Sequence, residues 1–281
     1  MTRTAIQQFQ LRKHFSSQGH AQETLRAIEE MGFDGIELNG FMIRKLPWTI
    51  RLLTQMAGMG IGASGNLNWE QLLSETSLKV VALHENLGHV LENPRDIVAE
   101  AKVLGTKNIV ITGMRKFDYS DEKAVLELAN QLNTAGHQLA EQGLSLSYHN
   151  HNCEFQKVNG VQTAFDLLLE KTDEKWLNFE VDAFWAVEAG VDIIQLLKKV
   201  GHRQSFVHLT DRGYRPKGKT GSILKSDCLE LGTGNMNLNG ILQQSKQNRV
   251  DSLIIETHRN WINQSALDSA KLSIEYLNKI M

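Results

Sequence analysis

Four stretches of this chain run from β-favouring residues straight into groups that can ligate a metal or move a proton. They are Leu144-Ser-Leu-Ser-Tyr-His-Asn-His-Asn-Cys-Glu-Phe155, Leu177-Asn-Phe-Glu-Val-Asp182, Ser205-Phe-Val-His-Leu-Thr-Asp211 and Leu253-Ile-Ile-Glu256. A strand that serves only the core is expected to end on something inert, so the pattern reads as one site assembled from four strand ends. Glu154, Asp182, His208 and Glu256 form an oxygen-rich set with one nitrogen, suited to one divalent ion such as Mn²⁺, Mg²⁺, Co²⁺ or Zn²⁺. Without a cation, the three carboxylates would repel and raise one another's pKa. Taken singly, a Glu or Asp after a strand is more often a helix cap or a loop ion pair than a ligand. Four in succession shift the balance toward a site.

The elements that must position these residues alternate along the chain. Strands are expected at Ala5–Leu11, Gly35–Leu38, Leu78–His84 and Asn108–Thr112, then at the four stretches above. Apolar residues at helical spacing predict helices at Ala21–Met31, Thr49–Met59, Pro94–Leu104, Asp121–Gln142, Gly160–Glu170, Val191–Val200, Asn239–Gln247 and Ala266–Ile280. Ile61–Asn68 reads as loop from its Gly and Asn content. About eight strands alternating with about eight helices argue for parallel strands joined by crossover helices. No Pro- or Gly-rich linker divides the chain, and no Gly-x-Gly-x-x-Gly follows an early strand. The expectation is an α/β protein, a single (β/α)8 TIM barrel domain over residues 1–281, rather than an open doubly wound sheet. In such a barrel the C-terminal strand ends share one mouth, which gathers residues dozens of positions apart.

Composition sets the outer limits. The 281 residues are 41% hydrophobic and 22% charged, with a formal net charge of −2, values typical of a soluble protein with a large core. Lys and Arg are scattered, so no nucleic-acid partner is expected. No run resembles a signal peptide or a membrane span. Cys153 and Cys228 alone make no disulfide framework, which fits a reducing compartment and a cytoplasmic location.

Tyr148-His-Asn-His-Asn-Cys-Glu-Phe155, Glu180-Val-Asp-Ala-Phe-Trp-Ala-Val-Glu-Ala-Gly190, Val207-His-Leu-Thr-Asp211 and Ile254-Ile-Glu256 resemble the motifs of the sugar phosphate isomerase/epimerase superfamily of xylose isomerase-like barrels. Leu25-Arg-Ala-Ile-Glu-Glu-Met-Gly-Phe-Asp-Gly-Ile-Glu-Leu38 is similar to that family's first helix and second strand. The resemblance implies one divalent metal held after strands five, six, seven and eight. Carried onto this chain, the ligands are Asp182, His208, Glu256 and, after strand five, Glu154, with His149 as the alternative because many relatives carry Glu there. It further implies a carbohydrate substrate and an isomerase or epimerase reaction: proton transfer beside a carbonyl through a metal-stabilised enediolate, with Glu154 and Glu256 as acid and base. Independently of the family, a divalent ion eases charge on that oxygen and a carboxylate of raised pKa can collect the proton.

His149, His151, His84 and His258 are candidates for substrate hydroxyls or for support of the ligands, and Trp185 for a wall over a sugar ring or for core packing. Glu37 and Glu85 end early strands and could face the mouth, while Arg212, Arg215, Lys217 and Lys219 read as a solvated basic loop or a phosphate clamp. Thr210 stands where relatives often have Lys, and Thr233 where an acidic residue is common, so no familiar substrate is implied. Relatives are often dimers or tetramers, which implies a homo-oligomer.

A lyase, dehydratase or hydrolase acting on a keto-sugar or keto-glycoside would use the same metal site. A three-metal apurinic endonuclease would need a His where Trp185 stands and an Asp-x-His pair after His208, and neither is present. A non-catalytic sugar-binding barrel would leave the four-residue constellation without a purpose.

Overall fold

Eight parallel strands, each followed by a helix, form the framework in a computed structural model that describes residues 2–45, 64–114, 116–216, 218–219 and 221–281. The strands are β1 Arg3–Gln7, β2 Gly35–Asn39, β3 Lys79–Glu85, β4 Asn108–Thr112, β5 Ser145–His149, β6 Asn178–Asp182, β7 Gln204–Leu209 and β8 Ser252–Ile255. The helices are α1 Gln18–Glu30, α2 Trp69–Ser74, α3 Pro94–Leu104, α4 Glu122–Ala140, α5 Ala164–Lys171, α6 Ile193–Val200, α7 Leu238–Asn248 and α8 Ala266–Ile280. Strand order β1-β8-β7-β6-β5-β4-β3-β2 closes the sheet into a barrel. The expected Thr49–Met59 helix, the first part of the expected Ile61–Asn68 loop and Lys217 lie outside the described residues.

The chain groups into two compact units. One consists mainly of Ala82–His208 and Gly240–Leu253 and holds β4 to β7; the other, of Arg3–Val81, Leu209–Asn239 and Ile254–Met281, holds β1 and β2.

In the first unit the strands alternate strictly. Leu146 and Tyr148 of β5 and Phe179 and Val181 of β6 are buried on one face, while Ser147, His149, Glu180 and Asp182 leave the other. Helix α4 shows why its sequence folds as it does. Asp121 accepts hydrogen bonds from the N–H groups of Lys123 and Ala124 at its start, and Val125, Leu128, Ala129, Leu132, Ala135 and Leu139 make its buried stripe. Each such buried Leu contributes roughly 2 kcal/mol, so Leu132→Ala would cost about 2–5 kcal/mol. Gly136 on the same stripe lets the helix approach Trp176, whose carbonyl a Cβ would overlap.

In the second unit β1 is shorter than the expected Ala5–Leu11. The Gln7 side chain accepts the Phe9 N–H at 3.0 Å and turns Gln8–Leu11 into a 3-10 helix. A local side-chain bond of this kind competes with strand pairing. Back in the first unit, the expected helix at Gly160–Glu170 begins only at Ala164, because Gln162–Thr163 pairs with Lys157–Val158 in a small hairpin and Thr163 caps the helix.

Candidate metal centre

Register places the site residues of the first unit. His149 stands opposite Glu180 across β5 and β6. A bulge at Phe179/Glu180 then shifts the pairing of β6 with β7, and Asp182 comes to face His208. Glu180 and Asp182, two residues apart, project from the same face of β6. All of these side chains are buried.

Glu180 lies at the centre of a histidine ring. Its Oε2 is 2.9 Å from His149 Nδ1, 3.0 Å from His84 Nε2 and 3.3 Å from His208 Nε2, while Oε1 is buried with no hydrogen-bond partner among the described residues. His84 Nδ1 is 2.8 Å from the Thr112 hydroxyl. Burial pushes the Glu180 carboxyl up, but His208 and His84, with hydrogen bonds from His149 and His208, hold it well below the usual carboxylate range. Glu180 is therefore an anion embedded among imidazoles.

The other nitrogens of two of these rings meet a second carboxylate. His149 Nε2 and His208 Nδ1 each lie 3.9 Å from Asp182 Oδ2. Asp182 Oδ1 is engaged separately, accepting the Trp185 N–H at 2.9 Å as the cap of the short helix Ala183–Glu188. One oxygen of Asp182 thus serves the helix and the other faces two imidazoles. A separation of 3.9 Å exceeds a hydrogen bond. Two bonds of about 2.1 Å to one ion hold their donor atoms at most about 4.2 Å apart. Each of the two histidine–Asp182 separations therefore falls within the span of two donors to one divalent ion, and the rings' remaining nitrogens face Glu180. A second grouping is also compact, since donor atoms of His84, His149, Glu180 and His208 lie within 4.8 Å of one another.

Glu154 is placed elsewhere. Tyr148 leaves β5 on the face opposite His149, and its hydroxyl donates to Glu154 Oε1 at 3.0 Å. Glu154 Oε2 accepts the His151 N–H at 2.9 Å and the Cys153 thiol at 3.2 Å. Tyr119 then donates to Tyr148 at 2.7 Å and accepts the Met114 N–H at 2.7 Å. Gly113 makes room for this carboxylate, because a Cβ there would overlap Glu154 Oε1. Burial first, and the Glu154 charge second, push the Tyr148 hydroxyl well above its ordinary range. Among the two strand-five candidates, His149 is the one brought together with Asp182 and His208.

His151 packs edge-on against His149 and Trp185, with ring centroids 5.2 and 5.9 Å apart. Both His151 and Trp185 are half-buried. In the other unit, Glu256 directly follows β8, and its Oε1 is 3.4 Å from His258 Nδ1. Glu37 there is fully buried and accepts the Gln7 amide at 2.7 Å, and Arg215 of the basic loop pairs with Glu230. Glu85 takes His89 Nδ1 at 3.4 Å.

Sequence reading passed over Glu180 and Asn150. The strand's own alternation, Asn178-Phe-Glu-Val-Asp182, was the available signal for the first, since it puts both acids on one face.

A family model for the xylose isomerase-like TIM barrel matches residues 25–280. The chain belongs to that family. Inosose dehydratase of Clostridium botulinum is 29% identical over 198 residues, covering 66% of this chain and 62% of that protein, so the chain spans about three fifths of the length of that curated relative. Among solved structures, a sugar phosphate isomerase/epimerase from Parabacteroides distasonis aligns with a TM-score of 0.77 at 17% identity over 98% of this chain and 93% of that one. The IOLI protein with a binding zinc atom aligns with a TM-score of 0.67 at 14% identity over 99% and 98%. At such identities the structural likeness speaks to the fold. The curated relative carries a dehydratase name, structures that share the fold carry isomerase and epimerase names, and among the described residues no helix is long and apolar enough to cross a membrane.

Proposed function

We propose that this protein is a divalent-metal-dependent enzyme that moves a proton at the carbon beside a carbonyl of a sugar or sugar derivative, as an isomerase or epimerase. The observation that carries the reading is the two-sided use of His149 and His208, each with one nitrogen toward Glu180 and the other 3.9 Å from Asp182. Metal-binding histidines typically hand their second N–H to such a carboxylate. His149, Asp182 and His208 hold the ion; zinc fits the nitrogen-rich donors, with Mn²⁺, Mg²⁺ and Co²⁺ as the other occupants. When bound, the ion supplies stabilisation for the negative charge that grows on the carbonyl oxygen as the neighbouring carbon loses its proton.

The chain's own residues do the rest. His151 and Trp185 offer a half-buried edge and ring against which a sugar can lie. The Glu256 carboxylate is assigned proton transfer on its sequence position after the last strand. Glu154, with Tyr148, His151 and Cys153 all donating to it, is assigned to holding the β5 loop in place.

A second reading is favoured by one finding, the 29% identity to an inosose dehydratase. There the same deprotonation is followed by loss of a β-hydroxyl as water. The two are separated by incubating the zinc- or manganese-loaded protein with keto-inositols, ketoses and 3-keto-glycosides in deuterated water. Deuterium beside the carbonyl with retention of every hydroxyl supports isomerase or epimerase chemistry, and release of water or an aglycone supports the alternative. Tight metal binding without exchange or elimination on any of these substrates would defeat both.

A further inference from the structure

Glu180 is buried mid-strand, and its Oε2 sits within 2.9 to 3.3 Å of nitrogens of His149, His84 and His208. We propose that Glu180 is a positioning residue that fixes the tautomers of His149 and His208, turning the lone pairs of His149 Nε2 and His208 Nδ1 toward Asp182. The inference rests on the metal reading above and assigns a task to a residue outside the expected ligand set.

A carboxylate only accepts, so every ring nitrogen pointed at it must carry the hydrogen. In a neutral imidazole the opposite nitrogen then holds the lone pair. For His149 that nitrogen is Nε2 and for His208 it is Nδ1, the two atoms equidistant from Asp182 Oδ2 at 3.9 Å. The two rings reach opposite tautomers because they approach Glu180 by different nitrogens. His84 completes the set differently: its Nε2 faces Glu180 and its Nδ1 faces the Thr112 hydroxyl, which can donate. His84 thus adds a nearby imidazole to Glu180 through Nε2, without hydrogen-bond geometry, and engages Thr112 through Nδ1.

The competing arrangement puts one ion among His84, His149, Glu180 and His208, whose donor atoms are also mutually close. It requires the reverse tautomers, with lone pairs on His149 Nδ1 and His208 Nε2. The two arrangements therefore differ in where two protons reside, whatever the activity.

The test is nitrogen-15 NMR of the full chain with labelled histidine, first metal-free and then with one equivalent of Zn²⁺, together with zinc affinities of three variants. The expected result is protonated Nδ1 on His149 and protonated Nε2 on His208 in both states. Glu180→Gln should keep one zinc per chain at about 10- to 100-fold weaker affinity, His84→Gln should keep it, and Asp182→Asn should lose it. Protons on the opposite nitrogens, or loss of zinc in Glu180→Gln and His84→Gln with retention in Asp182→Asn, would overturn the proposal. If wild-type protein takes up no zinc or other divalent ion, the metal reading fails instead. The metal-free spectrum still decides the role of Glu180, and it does so even if the Glu180 variant does not fold.

Discussion

Asn150 clasps the backbone of Asp182 from both sides: its Oδ1 accepts the Asp182 N–H at 3.0 Å and its Nδ2 donates to the Asp182 carbonyl at 3.3 Å. The end of β5 is thereby fastened to the end of β6, one residue beyond His149 and at the residue whose carboxylate faces both imidazoles. Asn150→Ala would leave a buried N–H and a buried carbonyl without these partners, at a cost of about 2 kcal/mol. Urea unfolding should show a lower midpoint with an unchanged slope, and zinc affinity should fall in parallel. A stability change within about 0.5 kcal/mol would show that the clasp is dispensable.

Much of this architecture was legible because β-favouring runs, crossover helices and strand-end acids recur in a fixed rhythm. Asp182 and His208 were readable as neighbours for that reason. The choice between His149 and Glu154 was not. Tyr148 and His149 face opposite sides of β5, and nothing in a sequence says toward which side a carboxylate five residues further on will turn. The structure turns it to Tyr148. Asn150 was invisible for a related cause, since an Asn after a strand ordinarily reads as turn chemistry. The short β1 likewise depended on one glutamine side chain capturing its neighbour's N–H, a local competition that alternation alone cannot register.

Cys153 should be an unreactive thiol. Burial, and then the Glu154 charge that its S–H donates to, push it up to about 12. Relative to the ordinary value of 9.0, the thiolate fraction at pH 8 falls by about a thousandfold. Iodoacetamide should alkylate Cys153 far more slowly in the native protein than in urea. Glu154→Gln, by removing the charge, should speed the native reaction. Equal native rates in wild type and variant would mean that burial acts alone.

Chelation should destabilise the protein if His149, Asp182 and His208 hold a metal. A ligand present at one hundred times its dissociation constant adds about 2.7 kcal/mol, or about 5 °C in Tm for a chain of this size. The expected sequence is a lower Tm after EDTA, recovery on adding Zn²⁺ or Mn²⁺, and no response in Asp182→Asn. A Tm indifferent to both chelator and metal would remove these residues as a resident site.

Glu230 should shape the acid limb of stability. Its fully buried carboxylate pairs with Arg215, which also donates to the Asn260 carbonyl at 3.1 Å, and accepts the Ile262 N–H at 2.8 Å. Burial raises this carboxyl, but the Arg215 and Ile262 hydrogen bonds outweigh that and hold it below its ordinary value of 4.5. A group with a depressed folded pKa contributes stability that is complete above the unfolded pKa and disappears as pH falls through the folded one. Glu230→Gln should therefore cost about 2 kcal/mol at pH 6, and the gap to wild type should close progressively below about pH 4.5. Urea unfolding between pH 6 and pH 3 measures both curves. A gap that stayed constant across that range would mean that Glu230 titrates alike in the folded and unfolded chain, and that its cost on removal is one of packing rather than charge.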